Sequence, residues 1–282
     1  MAKVHIVTDS NCNIPAALCQ ELDIHVVPLP FVLDGATYIE YVDVGPKAFF
    51  PLLRNAKSVP TTSGPTPGAF KETFEKLAAD GNPILSILVG RHFSSTLLSA
   101  ETAKKELPDV DLTLIDSESN AMALGFQVLA TARAASRGER LGQLVEIVHQ
   151  AMEATGIFFS VRDLEYLYRG GRIGFAQRLL GSALDIFPIF EIRRSPIHLV
   201  ERQRTFRKVI SRLLDLVEQR LADGRPYRLA VLHADDHAGA NALMSAALER
   251  FDPEELLVNE LSPVLSVHTG QGALGVAYSS GL

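Results

Sequence analysis

Apolar runs separated by capping and turn residues recur along the first half of the chain. Val4 to Val7 alternates and ends in Thr8-Asp9-Ser10, after which Asn13-Ile14-Pro15 opens a short helix through Leu22. Ile24 to Leu33 has an extended pattern, and Asp34-Gly35 marks a turn into Ala36 to Tyr41. Pro46, Pro51 and Pro60 interrupt the next stretch, which predicts only a short helix over Lys47 to Leu53. Thr66 is the expected N-cap, and Pro67 the first-turn residue, of a helix over Gly68 to Ala79. Ile84 to Val89, apolar but for Ser86, is a run of the kind found in a strand buried on both faces. A helix over Thr96 to Glu106, a strand at Leu112 to Ile115, helices over Ala121 to Ser136 and Leu141 to Ala154, and a short strand at Ile157 to Phe159 follow. Strand and helix alternating in this way predict a mostly parallel sheet with helices on both faces.

The pattern then changes. Ser160 is the expected N-cap of a helix whose stripe is Leu164, Leu167 and Tyr168, and Gly170-Gly171 end it. A second helical pattern carries Leu179, Leu180, Leu184 and Ile186. Beyond it, Ile197 to Arg204 is extended, Lys208 to Asp223 is an amphipathic helix, Tyr227 to His233 a strand and Gly239 to Arg250 a helix. Glu255 to Glu260 and Val264 to His268 are predicted as strands, with Ala273 to Tyr278 extended. The expected fold is therefore α/β in two domains: an N-terminal parallel-sheet α/β/α domain over 1–158, and a C-terminal α+β domain over 159–282 with a mixed or antiparallel sheet.

Composition narrows the function. At 47% hydrophobic and 21% charged, the 282 residues are those of a globular protein, neither disordered nor a membrane class. The longest apolar runs are broken well before the roughly 20 residues a membrane span needs. A net charge of −6 argues against nucleic acid, which calls for a basic face. MAKVHIVTDS runs directly into a strand-like alternation with no signal segment, so the cytoplasm is expected. Cys12 and Cys19 match no dithiol or zinc spacing and are expected as reduced thiols. Within this acidic chain, Arg169, Arg172, Arg193, Arg194, Arg202, Arg204 and Arg207 make one region locally basic, suiting either a solvated face or an acidic partner.

Several motifs bear on chemistry. Gly270 to Gly275 spells GxGxxG, but a dinucleotide fingerprint needs a following helix, and Ala273 to Tyr278 is predicted extended. Neither a GxxxxGK[ST] loop nor a GxSxG elbow occurs. His233-Ala234-Asp235-Asp236-His237 has metal-ligating residue types without the helical HExxH frame, and a solvated loop is expected there, with no metal. Three loops after strands carry hydroxyls: Thr8 to Ser10, Ser94-Ser95 and Asp116-Ser117. Thr61 to Thr66 is a further hydroxyl-rich loop. Helix capping accounts for each loop separately, while together at one sheet edge they also suit a carboxylate or other anion. His268, before a glycine-rich turn, has the chemistry to donate to a ligand oxygen.

Taken in order, VTDS at 7–10, TSGPTP at 62–67, SS at 94–95, DSES at 116–119, DLEYLYRGGRIG at 163–174 and VHTGQGALGV at 267–276 resemble the DegV family of bacterial fatty-acid-binding proteins over essentially the whole chain. The resemblance implies a carrier without chemistry or cofactor of its own, with the ligand at the domain junction. It would hold one long-chain fatty acid of about C14 to C18 in an apolar tunnel, where each buried methylene is worth about 0.8 kcal/mol. Carried onto this sequence, the carboxylate would meet Thr62, Ser95 and His268, with Ser63, Ser94, Arg172 and Arg204 near the head group or at the docking surface of a fatty acid kinase that forms acyl phosphate. Leu179, Leu180, Leu184 and Ile186 are the implied tunnel wall. The chain departs from the usual family pattern at Gly64, Leu98, Phe187 and Gln271. The alternative is a hydrolase or phosphotransferase using the hydroxyl-rich loops and His268.

Overall fold

The computed structural model describes residues 3–173, 186–194, 196–222 and 224–281. Its first part runs β1 (His5–Asp9), α1 (Ala16–Glu21), β2 (Ile24–Val27), β3 (Pro30–Leu33), β4 (Ala36–Ile39), α2 (Pro46–Arg54), β5 (Thr61–Thr62), α3 (Pro67–Ala78), β6 (Ile84–Leu88), α4 (Thr96–Lys105), β7 (Leu112–Asp116), α5 (Ala121–Ser136) and α6 (Leu141–Ala154). β1, β2, β6 and β7 form a parallel sheet in the order β2-β1-β6-β7, and every residue of β1 and β6 is buried. That burial suits the apolar run of β6, broken only by Ser86, whereas β1 buries His5, Thr8 and Asp9 beside Ile6 and Val7. A small antiparallel sheet, β4-β3-β5, stands beside it and carries Thr62.

The second part runs β8 (Thr155–Ser160), α7 (Leu164–Arg169), β9 (Phe187–Ile192), β10 (His198–Gln203), α8 (Phe206–Glu218), β11 (Tyr227–His233), α9 (His237–Arg250), β12 (Glu255–Glu260), α10 (Pro263–Thr269) and β13 (Leu274–Ser280). Its sheet has the order β10-β9-β8-β13-β11-β12 and is mixed, with β11 and β12 parallel and the other neighbours antiparallel. The fold is thus α/β in two domains, as the pattern predicts.

α5 joins the two sheets. Met122, Leu124, Phe126, Val128 and Leu129 are all buried, because one side of the helix meets β1 and the other meets β8 and β13. A helix apolar all round is what such a position demands. The largest core cluster accordingly contains Ile6, Leu85 and Ile87 of the parallel sheet together with Ile157, Phe190 and Leu232 of the mixed one.

Three local expectations are corrected. Ser160 is not a helix N-cap but the last, fully buried residue of β8; Asp163 caps α7, accepting from the amide of Glu165 at 2.8 Å. Val264 to His268 is helical rather than extended. Those residues are buried on all sides through Val267, so periodicity carries no information there. The local start signal decides instead: Ser262 accepts from the Leu265 amide and Pro263 takes the first turn. Phe187–Ile192 is a strand where the pattern predicts no element. Leu179, Leu180 and Leu184 lie outside the described residues.

Candidate functional site

A cavity of about 220 Å³ lies where β5, the loop before α4, the start of α5, β8, α7 and α10 converge. One end is polar, with Thr62, Ser63, Ser94, Ser95, Arg172 and His268 in its wall. Asn11, Asn120 and Thr269 also reach the wall, and the remainder is apolar, with Phe93, Ile157, Phe159, Ile192, Leu232 and Leu261 among it. Ile157 and Phe159 alternate along β8 and so share one sheet face.

His268 sits in the last turn of α10, and its Nε2 is 2.8 Å from Thr62 Oγ1 on β5. Its Nδ1 is buried and has no protein partner among the described residues. An orphaned buried N–H costs more than an orphaned lone pair, so the proton belongs on Nε2, which donates to Thr62. The Thr62 hydroxyl hydrogen is thereby free to donate elsewhere. Burial first, and the Arg172 charge second, lower the imidazole pKa to about 4, so His268 is neutral near pH 7.

Arg172 reaches the site from the turn after α7. Its Nε donates to the Phe93 carbonyl at 3.0 Å and its Nη1 to the Gly170 carbonyl at 2.5 Å. No carboxylate pairs with it among the described residues. Burial depresses its pKa, yet a guanidinium stays charged. Among the described residues, the positive charge at the polar end is therefore met by carbonyls alone. Gly170 packs against His268 so closely that a Cβ there would lie 2.3 Å from Nδ1.

The serine pair divides its work. Ser94 Oγ accepts from the Thr96 amide at 3.3 Å and bonds Thr96 Oγ1 at 2.8 Å, which caps α4. Ser95 makes no capping bond, and its exposed hydroxyl faces the cavity. Gly64 stands opposite: a Cβ there would lie 2.7 Å from Ser95 Oγ, so glycine leaves that hydroxyl room to turn. The other hydroxyl loops are largely occupied internally, although the buried Thr8 hydroxyl has no partner among the described residues. Ser10 Oγ donates to Glu40, Asp9 accepts from the amides of Asn11 and Val89, and Ser117 bonds within its own turn to Ser119. Thr66 is the N-cap of α3, accepting from the Ala69 amide.

Sequence reasoning misses Glu40. It is fully buried beneath the first turn of α10, where Oε2 accepts from the Val264 amide at 2.9 Å and Oε1 accepts from the Ser10 hydroxyl. Burial raises its pKa to about 7. Asn13 assists by accepting from the Ser262 amide at 2.9 Å. Nothing in the chain signals this role, since Glu40 follows the partly exposed hairpin strand β4.

Other expected site residues lie elsewhere. Ile186 is half-buried and does not line the cavity, and Arg204 is exposed, before the first turn of α8, with Arg202 and Arg207 exposed near it. Leu98 is 61% exposed on α4, and Phe187 meets the Phe206 ring edge-on at 5.4 Å. Gln271 donates to Asp235 at 2.8 Å. Gly270 to Gly275 leads into β13 rather than a helix. No helix among the described residues is long and apolar enough to cross a membrane.

Comparison with known proteins follows the same outline. A sequence profile described as "uncharacterised protein, DegV family" matches residues 3–281. A DegV domain-containing protein of Streptomyces coelicolor is 36% identical over 279 residues, 98% of each chain. Among solved structures, a DegV family protein from Thermus thermophilus described for its fatty acid binding superposes with a TM-score of 0.91 at 31% identity, covering 99% of each chain. DegV of Bacillus subtilis, described as a fatty acid binding protein, superposes with a TM-score of 0.89 at 29% identity over 99% of each chain.

Proposed function

The chain belongs to the DegV family, and from that premise we propose that it is a non-catalytic carrier of one long-chain fatty acid, with the carboxylate at Thr62, Ser95 and His268, the two hydroxyls donating to it and the imidazole holding Thr62 in place. The observation that carries this reading is Arg172, without a carboxylate partner among the described residues, beside a neutral His268–Thr62 pair in a cavity whose wall is mostly apolar. An anion balances the guanidinium, and the Thr62 and Ser95 hydroxyls supply the donors that a desolvated carboxylate requires. The acyl tail supplies affinity: at about 0.8 kcal/mol per methylene, a chain of about sixteen carbons gains on the order of 10 kcal/mol before immobilisation costs. Ser63 and Ser94 border the head group. The ligand lies at the junction of domains 1–158 and 159–282, in a cytoplasmic protein whose Cys12 and Cys19 stay free thiols.

Presentation of the bound carboxylate to a fatty acid kinase is the second half of the proposal. Arg202, Arg204 and Arg207 are exposed and carry no ion pair among the described residues, unlike Arg169 and Arg194, which pair with Glu165, and with Glu118 and Glu153. A basic exposed patch on an acidic protein suits an acidic docking partner. A hydrolase would couple a nucleophile to an oriented base. Here His268 turns its N–H, not its lone pair, towards Thr62, and the lone pair on Nδ1 meets no nucleophile among the described residues, which supports carriage over turnover.

Solvent extraction and native mass spectrometry of the purified protein test the proposal. A C14 to C18 fatty acid at about one per chain is expected, the affinity lying in the buried methylenes. Lipid-free preparations that refuse both palmitate and oleate would overturn it. Arg204→Ala is expected to retain the lipid while weakening capture of the kinase.

A further inference from the structure

Far from the cavity, at the opposite, N-terminal end of the parallel sheet, lie His5, Asp23 and His25. We infer that these three side chains form a site for a divalent transition-metal cation, with zinc the metal best suited to two imidazoles and a carboxylate. β1 and β2 are parallel with Val7 opposite His25, so His5 and His25 point to the same sheet face, and their ring centroids are 5.7 Å apart. The ligand-type atoms of His5, Asp23 and His25 all lie within 4.8 Å of one another.

The second observation is the state of the nitrogens. His5 is only 6% exposed, and its Nε2 is 2.9 Å from Asp80 Oδ2 in the turn before β6. That carboxylate fixes the tautomer: Nε2 carries the hydrogen, and Nδ1 keeps a free lone pair. Nδ1 is buried and without a protein partner among the described residues. His25 Nε2 is likewise buried and unpartnered, 3.7 Å from Asp23 Oδ1. A carboxylate holding the far nitrogen of a ligating histidine is the usual outer support of a metal site, orienting the ring and raising its basicity. Two buried, unsatisfied nitrogens beside a carboxylate are what a bound cation resolves.

The geometry also permits entry. A tetrahedral zinc with bonds of about 2.0–2.1 Å sets its donors roughly 3.4 Å apart, so the Asp23 carboxylate, 55% exposed, closes in by rotation while a water takes the fourth position. Asp23 Oδ2 meets Lys3, itself 57% exposed and free to swing away. The other group of ligand-type side chains, Asp235, His237 and Glu260, is a weaker candidate, because Asp235 is already held by Gln271 and Arg54.

Zinc alone, titrated into the full chain against a chromophoric chelator, tests the inference. One equivalent is expected to bind at micromolar or lower concentration. His25→Ala and Asp23→Asn are each expected to weaken it at least about tenfold, and Asp80→Asn by about 10–100-fold through loss of the outer support. His237→Ala should leave it unchanged. Far-UV circular dichroism and palmitate capture, both expected at wild-type level, show that each variant is folded. The inference is overturned if the wild type takes up no zinc, if folded Asp23→Asn and His25→Ala bind it as the wild type does, or if His237→Ala is the variant that loses it.

Discussion

A methyl group added at residue 170 would lie 2.3 Å from Nδ1 of His268 and 3.2 Å from the Tyr166 carbonyl, so either the imidazole or the end of α7 must move. Overpacking of this kind costs about 1–3 kcal/mol. Gly170→Ala is therefore expected to lower stability by that amount in urea melts and to weaken palmitate retention at least about tenfold. Retention at the wild-type level would separate His268 from the head group. Thr62, Ser95, His268 and Arg172 are all nameable from the sequence, as hydroxyl-rich loops, a turn histidine and a basic cluster, but their gathering into one head-group site comes only from the family pattern. What each does, such as Thr62 accepting from the imidazole while Ser94 rather than Ser95 caps α4, depends on approaches that no local pattern encodes.

At the scale of elements, α10 is the piece on which the head-group end depends, and Glu40 is its anchor. Donors on Ser10, Val264 and Ser262 reach the carboxylate, yet burial dominates and places its pKa at about 7, with Asp9 nearby adding to the rise. The folded-state value lies above the ordinary 4.5, so the folded chain holds the proton more tightly than the unfolded one. This contribution is whole below about pH 4.5 and is lost as pH rises through 7. Glu40→Gln does not titrate. The variant is accordingly expected to gain on the wild type by on the order of 1–3 kcal/mol between pH 5 and pH 8. Paired denaturant melts at the two pH values check this, and a constant difference would refute it. α10 is also where the sequence misleads: a run buried on every side looks like a strand, and Ser262-Pro263 is the cue that outweighs it.

For the whole molecule, the alternation of strands and helices makes the parallel sheet legible, because that alternation brings successive strands together side by side with helices on the faces. The cavity is not legible, since its wall combines Ile157 and Phe159 with Ile192, Leu232 and Leu261, and which faces meet depends on the strand order of the mixed sheet. A ligand held between α5 and that sheet binds only the folded chain. At a hundred times its Kd such a ligand adds about 2.7 kcal/mol. Stripping the lipid is expected to lower Tm by roughly 5–10 °C, at about 2–4 °C per kcal/mol for a chain of this order of size. Differential scanning of delipidated and reloaded protein reads the shift, and identical melting points would count against the carrier proposal.

The His268–Thr62 hydrogen bond spans 206 positions of chain. During synthesis, Thr62 leaves the ribosome long before α10 exists, and throughout that interval the hydroxyl has no imidazole to receive from. On the carrier proposal, lipid capture would then follow completion of the chain, and the nascent protein would hold the apolar faces of α5 and the parallel sheet without the second sheet that later covers them.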